Sequence, residues 1–435
     1  MKRLLETKRL IDILDIHPDI ALETLQRARM AAFTLVKWLL CSVLSGSVIG
    51  LIGALFYKCL QYVTNIRTTY SFTLFFLPLA GIIIVFIYRL TNEADNTGTN
   101  LVITAIQSNV EVPVKVTPLI IISTLLTHLC GGSAGREGAA LQVGGSLGDF
   151  FAKLFNFDDK DTRIMIMCGM SACFSALFGT PIAAAVFSME VISVGVMYYA
   201  ALVPCIISSL TAQGIAGLLG VTPTAFTIGD ICSFNISTCS RLIIMSILFA
   251  LVSIAFCYML HTSSRIYSTY IENPYIRIVT AGILVILLRY ITGTTDYLGA
   301  GAPVIASSFL SSCAWYVFIL KMIFTAATLG GGFKGGEIVP TLFVGATLGS
   351  FLASIFGLPI GLCAACGMVS VFCGVTNCPL TSFIISIEMF GAASIKYVII
   401  CIAISYMLSG YYSLYNSQKI VYSKYKTEYI NRRSH

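Results

Sequence analysis

An acidic and a basic residue stand side by side in the sequence Gly135-Arg136-Glu137-Gly138, between two apolar segments. An ionised carboxylate there takes the place of a bound anion, and a protonated one leaves that place and carries a proton. A carboxylate at membrane depth costs roughly 2.5–3.5 kcal/mol on insertion scales, which makes it a candidate for function. The alternative is a structural Arg136–Glu137 ion pair at the membrane edge.

A second glycine-rich segment, GGGFKGGE at residues 330–337, contains another acid, Glu337, three residues after Lys334. Glycine-rich loops that lead into helices leave backbone N–H groups exposed at the positive end of the helix dipole. The two segments therefore predict an anion site that needs no cationic side chain. For Glu337 the alternative is a simple ion pair with Lys334.

The elements that must position these loops are repeated along the chain. The sequence GMSACFSALFGTPIAAAVFSME at residues 169–190 and the sequence GMVSVFCGVTNCPLTSFIISIE at residues 367–388 share Gly-Met, Pro and Glu at a constant offset of 198. Two related halves with short, glycine-interrupted apolar segments are typical of transporters. The repeat alone does not decide whether the halves are parallel or inverted.

Several ionisable residues outside the two loops need an interpretation. Glu190 and Glu388 occupy matching positions in the halves, and we expect them to cap or tie helix ends rather than to carry protons. His128 is expected to be a packing residue rather than a proton carrier. Three further charged residues are expected near helix ends at the membrane interface, and we assign them no role: Lys321, Asp149 and Asp296.

The composition indicates a polytopic membrane protein built from helices. Of 435 residues, 57% are hydrophobic and only 11% are charged, against about 25% charged in soluble domains. The long unbroken apolar runs favour helices over a barrel. The net charge is +7. Because the basic residues gather at the two ends of the chain and in short loops, as the positive-inside rule expects, we predict no nucleic-acid partner.

These observations divide the chain into five segments. The N-terminal segment, with a predicted amphipathic helix at residues 4–14, and the basic tail are both expected in the cytoplasm. The segments are an N-terminal segment (1–30), a first membrane repeat (31–220), a connecting loop (221–239), a second membrane repeat (240–416) and the tail (417–435).

Fifteen cysteines do not form an evident disulfide framework, because most lie within apolar runs. Cys363 and Cys366 form a CxxC pair, which we interpret as packing; the alternative is a membrane thiol oxidoreductase. Cys232 and Cys239, in the polar loop, are the pair that could form a disulfide. We predict no cofactor, no metal site and no enzymatic activity.

Four motifs resemble the CLC family of anion channels and proton-coupled anion exchangers, over residues 40–416. GREG at 135–138 is similar to the family's GREGP loop, with Ala139 in place of proline. GTN at 98–100 and GGEIVP at 335–340 lie where the family has GSGIP and GGxFxP, and Tyr415 lies where a tyrosine near the end of the last helix contacts the anion. The resemblance implies an all-α polytopic membrane protein with two inverted-topology repeats of tilted and broken helices, assembled as a homodimer in the bilayer.

The resemblance also implies roles for individual residues. Glu137 would be the gating glutamate that competes with the anion and takes up a proton. Thr99 and Tyr415 would offer hydroxyl groups to the anion. Backbone amides would line its path at four positions, with Glu337 beside them: Gly135, Arg136, Gly138 and Ile338.

The second-half loop resembles the fluoride-exporting, proton-coupled branch of the family. Members of that branch have a glutamate at the position of Glu337 and lack the internal proton glutamate, which is Val191 here. Glu137 and Glu337 would then form a proton relay along one path. Thr99 departs from the methionine or asparagine usual in the branch. The implied function is fluoride/proton antiport; the alternatives are a chloride/proton exchanger or a passive chloride channel.

Overall fold

A computed structural model describes residues 18–108 and 110–434, so the amphipathic helix predicted at residues 4–14 lies outside the described residues. The described chain is nearly all helical. Its helices are α1 (Pro18–Thr69), α2 (Leu77–Leu90), α3 (Thr99–Ser108), α4 (Val116–Leu129), α5 (Glu137–Leu154), α6 (Asp159–Phe178), α7 (Pro181–Glu190), α8 (Leu202–Leu218), α9 (Ile236–Tyr270), α10 (Pro274–Thr292), α11 (Ala302–Ser308), α12 (Val317–Gly330), α13 (Ile338–Phe356), α14 (Ile360–Thr376), α15 (Pro379–Phe390) and α16 (Ile395–Leu408).

The helices fall into two length classes. Within the described part of the chain, seven are long and apolar enough to cross a membrane. Other apolar helices have only 10–17 residues, fewer than the roughly 20 needed for a full span. The shorter class includes α4, α7 and α12, and these lengths agree with the short, glycine-interrupted segments of the sequence.

The sequence repeat is confirmed by matching helix ends. Helix α6 ends at Gly179 with φ of 74°, and α14 ends at Asn377 with φ of 59°, both left-handed. These positions are 198 residues apart, the same offset as in the sequence. Pro181 and Pro379 then begin α7 and α15, because proline is accommodated in the first turn of a helix.

Glycine-to-glycine contacts explain the small residues in both halves. A Cβ atom on Gly144 of α5 would lie 2.1 Å from the carbonyl oxygen of Gly169 in α6. In the second half, a Cβ atom on Gly345 of α13 would lie 2.3 Å from the carbonyl oxygen of Gly367 in α14. In each half the helix that follows the glycine-rich loop therefore packs backbone against backbone on the next helix.

The two halves cap each other through the matched glutamates. Glu190, the last residue of α7, accepts hydrogen bonds from the amides of Leu380 (3.0 Å) and Thr381 (2.8 Å) in the first turn of α15. Glu388 of α15 accepts a hydrogen bond from the amide of Ala183 (2.9 Å) in the first turn of α7. The predicted structural role of both acids is confirmed, and the reciprocal contacts relate the halves by an approximate twofold axis.

The tail predicted only as a basic segment contains strands. Strands β2 (Lys419–Tyr422) and β3 (Tyr429–Arg433) form an antiparallel hairpin, and β2 also pairs in parallel with the short strand β1 (Ser193–Val194). Ile420 is fully buried at the centre of β2. The predicted all-α polytopic fold is confirmed, and to it is added a small sheet that attaches the tail to the segment between α7 and α8.

Candidate functional site

The two glycine-rich loops meet at the centre of the molecule. The amide of Gly135 donates to the carbonyl of Gly336 at 2.7 Å, and the amide of Gly336 donates to the carbonyl of Gly135 at 2.8 Å. This isolated antiparallel bridge joins residues 201 positions apart in the sequence. It holds the N-termini of α5 and α13 side by side.

Glu137 is the first residue of α5, and its side chain is completely buried. Its carboxylate accepts a hydrogen bond from the amide of Arg136 at 3.0 Å and faces the amide of Val339 in the first turn of α13. A Cβ atom at residue 135 would lie 2.5 Å from Oε2 of Glu137, which explains Gly135. The carboxylate therefore occupies the position between two helix N-termini that favours an anion.

The predicted Arg136–Glu137 pair is present, but it does not account for all of the carboxylate. Nε of Arg136 lies 3.5 Å from Oε1 of Glu137, which is a loose contact. The guanidinium also donates to the carbonyl of Leu177 and lies over the ring of Tyr57. Oε1 of Glu137 has no hydrogen-bond partner among the described residues. The ion pair orients Arg136 without fixing the carboxylate.

Glu337 is the residue that precedes α13, next to Ile338, and its Oε2 atom is buried without a hydrogen-bond partner in the described chain. A Cβ atom on Gly138 would lie 3.3 Å from this oxygen and 3.3 Å from the hydroxyl of Thr99. Gly138 thus allows Glu337 and Thr99 to approach the N-terminus of α5 from the same side.

The alternative interpretation of Glu337, an ion pair with Lys334, is not supported. The ammonium group of Lys334 lies over the ring of Tyr88, 4.6 Å from its centroid. The ion pairs found within the described residues do not join Lys334 to Glu337. Glu337 therefore makes no direct ion pair with Lys334, although the two residues are near enough to attract each other electrostatically.

Two polar side chains, in addition to Gln142 described below, lie near Gly138 and Glu337. The hydroxyl of Thr99 donates to the carbonyl of Gly138 at 3.4 Å, while the hydroxyl of Tyr415 is buried with no hydrogen-bond partner in the described structure. Tyr415 lies in the turns that follow α16, whose last residue is Leu408.

Gln142 is a neighbour that the sequence analysis missed. Its Nε2 donates to the carbonyl of Gly138 at 3.2 Å, and its Oε1 has no partner within the described chain. The available signal was a single amide side chain, one turn after Gly138, in a helix of small apolar residues.

Two cavities approach this cluster from different sides. The Glu337 cavity, of about 340 Å³, is lined by Thr99, Glu337 and Tyr415. The Arg136 cavity, of about 450 Å³, is lined by Arg136 and Val339. Glu137 is not among the lining residues of either cavity and lies between them. Its neighbour Arg136 lines one cavity, and its neighbour Gly138 lies beside Glu337, which lines the other.

The remaining predicted residues lie away from this cluster or on the walls of a cavity. His128 lines the Arg136 cavity, with Nδ1 bonded to the carbonyl of Thr124 at 2.9 Å, as a packing residue would be. Lys321 is fully buried within the protein, near the start of α12, and its predicted location at the membrane interface stays a prediction. Asp149 pairs with Lys153 at the end of α5.

Val191 has no titratable side chain at the position where the sequence analysis places the internal proton glutamate of related exchangers. It is buried directly after α7, and its carbonyl accepts a hydrogen bond from Gln418.

The cysteines are free thiols. Cys363 and Cys366 are both buried within α14 and make no disulfide. Cys232 and Cys239 are also free, so the possible pair in the connecting loop is not formed. The packing interpretation of the CxxC sequence agrees with this burial.

A family model and several known proteins match most of the chain. Residues 79–410 match the family model described as voltage gated chloride channel. A "Chloride/fluoride channel protein" of Pseudomonas syringae pathovar tomato is 34% identical over 398 residues, which cover 90% of this chain and 88% of that protein. An "H(+)/Cl(-) exchange transporter ClcA" of Vibrio cholerae is 24% identical and covers 81% of each chain.

A solved structure is similar to this chain in both fold and sequence. The crystal structure of "a CLC-type fluoride/proton antiporter" superimposes with a TM-score of 0.86 at 32% identity, covering 89% of this chain and 98% of that one. That structure supports the polytopic, nearly all-helical architecture described above.

Proposed function

Because this chain belongs to the voltage gated chloride channel family, we propose that it is a fluoride/proton antiporter that exports fluoride across the cell membrane. The observation that carries the proposal is the buried Glu137 carboxylate at two helix N-termini, with a second carboxyl group, Glu337, on the same path. The similarity to a CLC-type fluoride/proton antiporter supports fluoride and protons as the substrates.

The anion site is made of groups that donate hydrogen bonds without carrying charge. Amides at the start of α5 and α13 point into the gap that Glu137 now fills. The hydroxyls of Thr99 and Tyr415 approach from the Glu337 cavity, where the Tyr415 hydroxyl has no acceptor among the described residues. Such donors, with the helix dipoles, stabilise a small anion in a site of low dielectric.

Exchange follows from competition between carboxylate and anion for these amides. When Glu137 is ionised, it occupies the gap and blocks the anion. When it takes up a proton, it loses its attraction to the amides and the anion replaces it. The proton and the anion therefore cannot cross independently.

Glu337 supplies the proton step on the other side of Glu137. It lines the Glu337 cavity, lacks an ion pair in the described structure, and lies beside Gly138, one residue from Glu137. Two carboxylates this close disfavour simultaneous ionisation. A proton that leaves Glu137 therefore passes to Glu337 and then to the cavity, and the route does not use the Val191 position.

Thr99 is the residue that favours the second candidate, chloride transport. Its hydroxyl lies beside Gly138, and by turning away from its long hydrogen bond to the Gly138 carbonyl it donates to either halide. The chain is also 24% identical to a relative named as an H+/Cl− exchanger. A chloride/proton exchanger or a passive chloride channel would use the same residues, and the substrate assay separates these activities.

We propose a homodimer in which the second copy covers the face formed by α7, α8, α15 and α16. This face exposes apolar side chains around the reciprocal glutamate caps, at Ile182, Leu210, Leu380 and Ile399. We also propose that both termini are cytoplasmic; for the basic tail, the support is that Asn416, just before it, lines the Glu337 cavity.

The test is efflux from liposomes that contain the purified protein, followed with fluoride and chloride electrodes and a pH probe. We expect fluoride efflux well above chloride efflux, with proton uptake that a fluoride gradient drives against the proton gradient. Chloride efflux equal to or faster than fluoride efflux would contradict the fluoride assignment. Anion efflux without coupled protons would contradict antiport.

A further inference from the structure

The Arg136 cavity contains an arginine that the proposed exchange between Glu137 and the anion does not use. Arg67, in the last turn of α1, lines this cavity together with His128 and Arg136. We propose that the cavity binds an amphipathic organic anion, with its carboxylate or phosphate group on Arg67 and its apolar body against the cavity walls.

The Nε atom of Arg67 has an unused hydrogen bond to donate within the described part of the chain. The ion pairs within the described chain do not include Arg67. The guanidinium group lies against Gly299, where a Cβ atom would be 3.1 Å from Nη1. The Nε atom is therefore a buried donor without an acceptor, while the half-buried side chain as a whole faces the cavity, where an anion would accept its hydrogen bonds.

A second buried cation occupies the acceptors nearest to Arg67. Nζ of Lys321 donates to the carbonyls of Tyr297 (3.1 Å) and Gly299 (2.6 Å). The loop that contacts Arg67 therefore already gives these oxygens to Lys321. Asp296 is the acid among the residues that line the cavity, and it makes no ion pair with Arg67. The cavity wall has an excess of positive charge.

The remaining walls indicate an amphipathic ligand rather than a bare halide. A cavity of about 450 Å³ lies in the size range of small-molecule sites, which are mostly apolar with a few placed polar groups. A halide would leave most of this volume unfilled. The apolar lining includes Tyr57, Leu60, Leu298, Leu342, Met368 and Met389.

The first test is isothermal titration of the full chain in neutral detergent with 2-naphthoate and with the uncharged 2-naphthamide. We expect the acid to bind at least about tenfold more tightly than the amide. Arg67→Gln should weaken acid binding about tenfold or more. The matched control Arg89→Gln, whose guanidinium lies over Tyr275, should leave it unchanged. Equal binding of acid and amide to the wild-type chain would overturn the proposal.

A second variant keeps the test decisive if Arg67→Gln does not fold. Ala302 is exposed at the start of α11 and lines the same cavity, so Ala302→Trp fills space without removing a charge. We expect this variant to keep the wild-type melting temperature and lose 2-naphthoate binding. Binding that survives in folded Ala302→Trp at wild-type strength would place the ligand elsewhere and refute the site.

Bilayer discs separate the two sources of such an anion. Phosphatidylglycerol added to phosphatidylcholine discs should weaken 2-naphthoate binding if an anionic lipid is the natural occupant. Binding that is unchanged by phosphatidylglycerol points to a water-soluble acid in the same cavity. Since these assays measure binding and not flux, the site stands or fails separately from antiport.

Discussion

Replacing the matched glutamates by glutamine tests how the two halves are held together. In Glu190→Gln, one of the two side-chain oxygens becomes an amide nitrogen, which cannot accept a hydrogen bond from a backbone N–H. Glu190 now accepts from the amide of Leu380 on one oxygen, and from the amide and hydroxyl of Thr381 on the other. Glu388 accepts one amide on each oxygen.

The loss can be estimated from these bonds. A hydrogen bond to a charged group contributes about 1.5–3 kcal/mol, so losing one of them destabilises by about 1.5–3 kcal/mol and losing two by about 3–6 kcal/mol. The lost negative charge at a helix N-terminus adds about 0.3–1 kcal/mol. Glu190→Gln should therefore destabilise the fold at least as much as Glu388→Gln, because its oxygens accept three hydrogen bonds rather than two.

Thermal unfolding of the purified variants in detergent measures this effect. Glu272→Gln is the matched control, because Glu272 is exposed between α9 and α10. We expect both cap variants to melt below the control while proton coupling in liposomes is kept. Cap variants that melt with the control, or that lose coupling without losing stability, would refute the structural role of these acids.

Three further predictions concern the path and the thiols. Gly138→Ala should reduce anion flux strongly in a liposome efflux assay, because its Cβ would lie 3.0 Å from Cα of Gly336; wild-type flux would contradict the close approach. Thr99→Val removes a hydroxyl donor and should slow fluoride efflux about tenfold, by loss of about 1.4 kcal/mol of site stabilisation; an unchanged rate would exclude Thr99 from the site. The double variant Cys363→Ser/Cys366→Ser should retain transport, measured with the same electrodes, and a loss of flux in a folded variant would revive a chemical role for these thiols.

Periodic and repeated features were predictable from the sequence. The offset of 198 placed the ends of α6 and α14, and it assigned Glu190 and Glu388 a structural role. Both follow from local rules: glycine or asparagine ends a helix, proline begins one, and carboxylates stabilise helix N-termini. The resemblance to a family added the positions of Thr99 and Tyr415.

Contacts between distant segments were not predictable. The Gly135–Gly336 bridge joins loops that resemble each other but carry no pairing pattern, and glycine has no side chain to indicate a partner. The burial of Lys321 depends on the carbonyls of a loop 22–24 residues away. Strand β2 is short and its partner β1 has two residues, below the length at which alternation is recognisable.

The central claim is that Glu137 couples anion and proton by competing for the same amides. Proton uptake against its gradient, driven by fluoride efflux from liposomes, tests it in wild-type protein and in Glu137→Gln. Glutamine keeps the size of the side chain but cannot exchange a proton. We predict that Glu137→Gln loses all uphill proton movement while the protein stays folded. A folded Glu137→Gln variant that still moves protons uphill would contradict the mechanism.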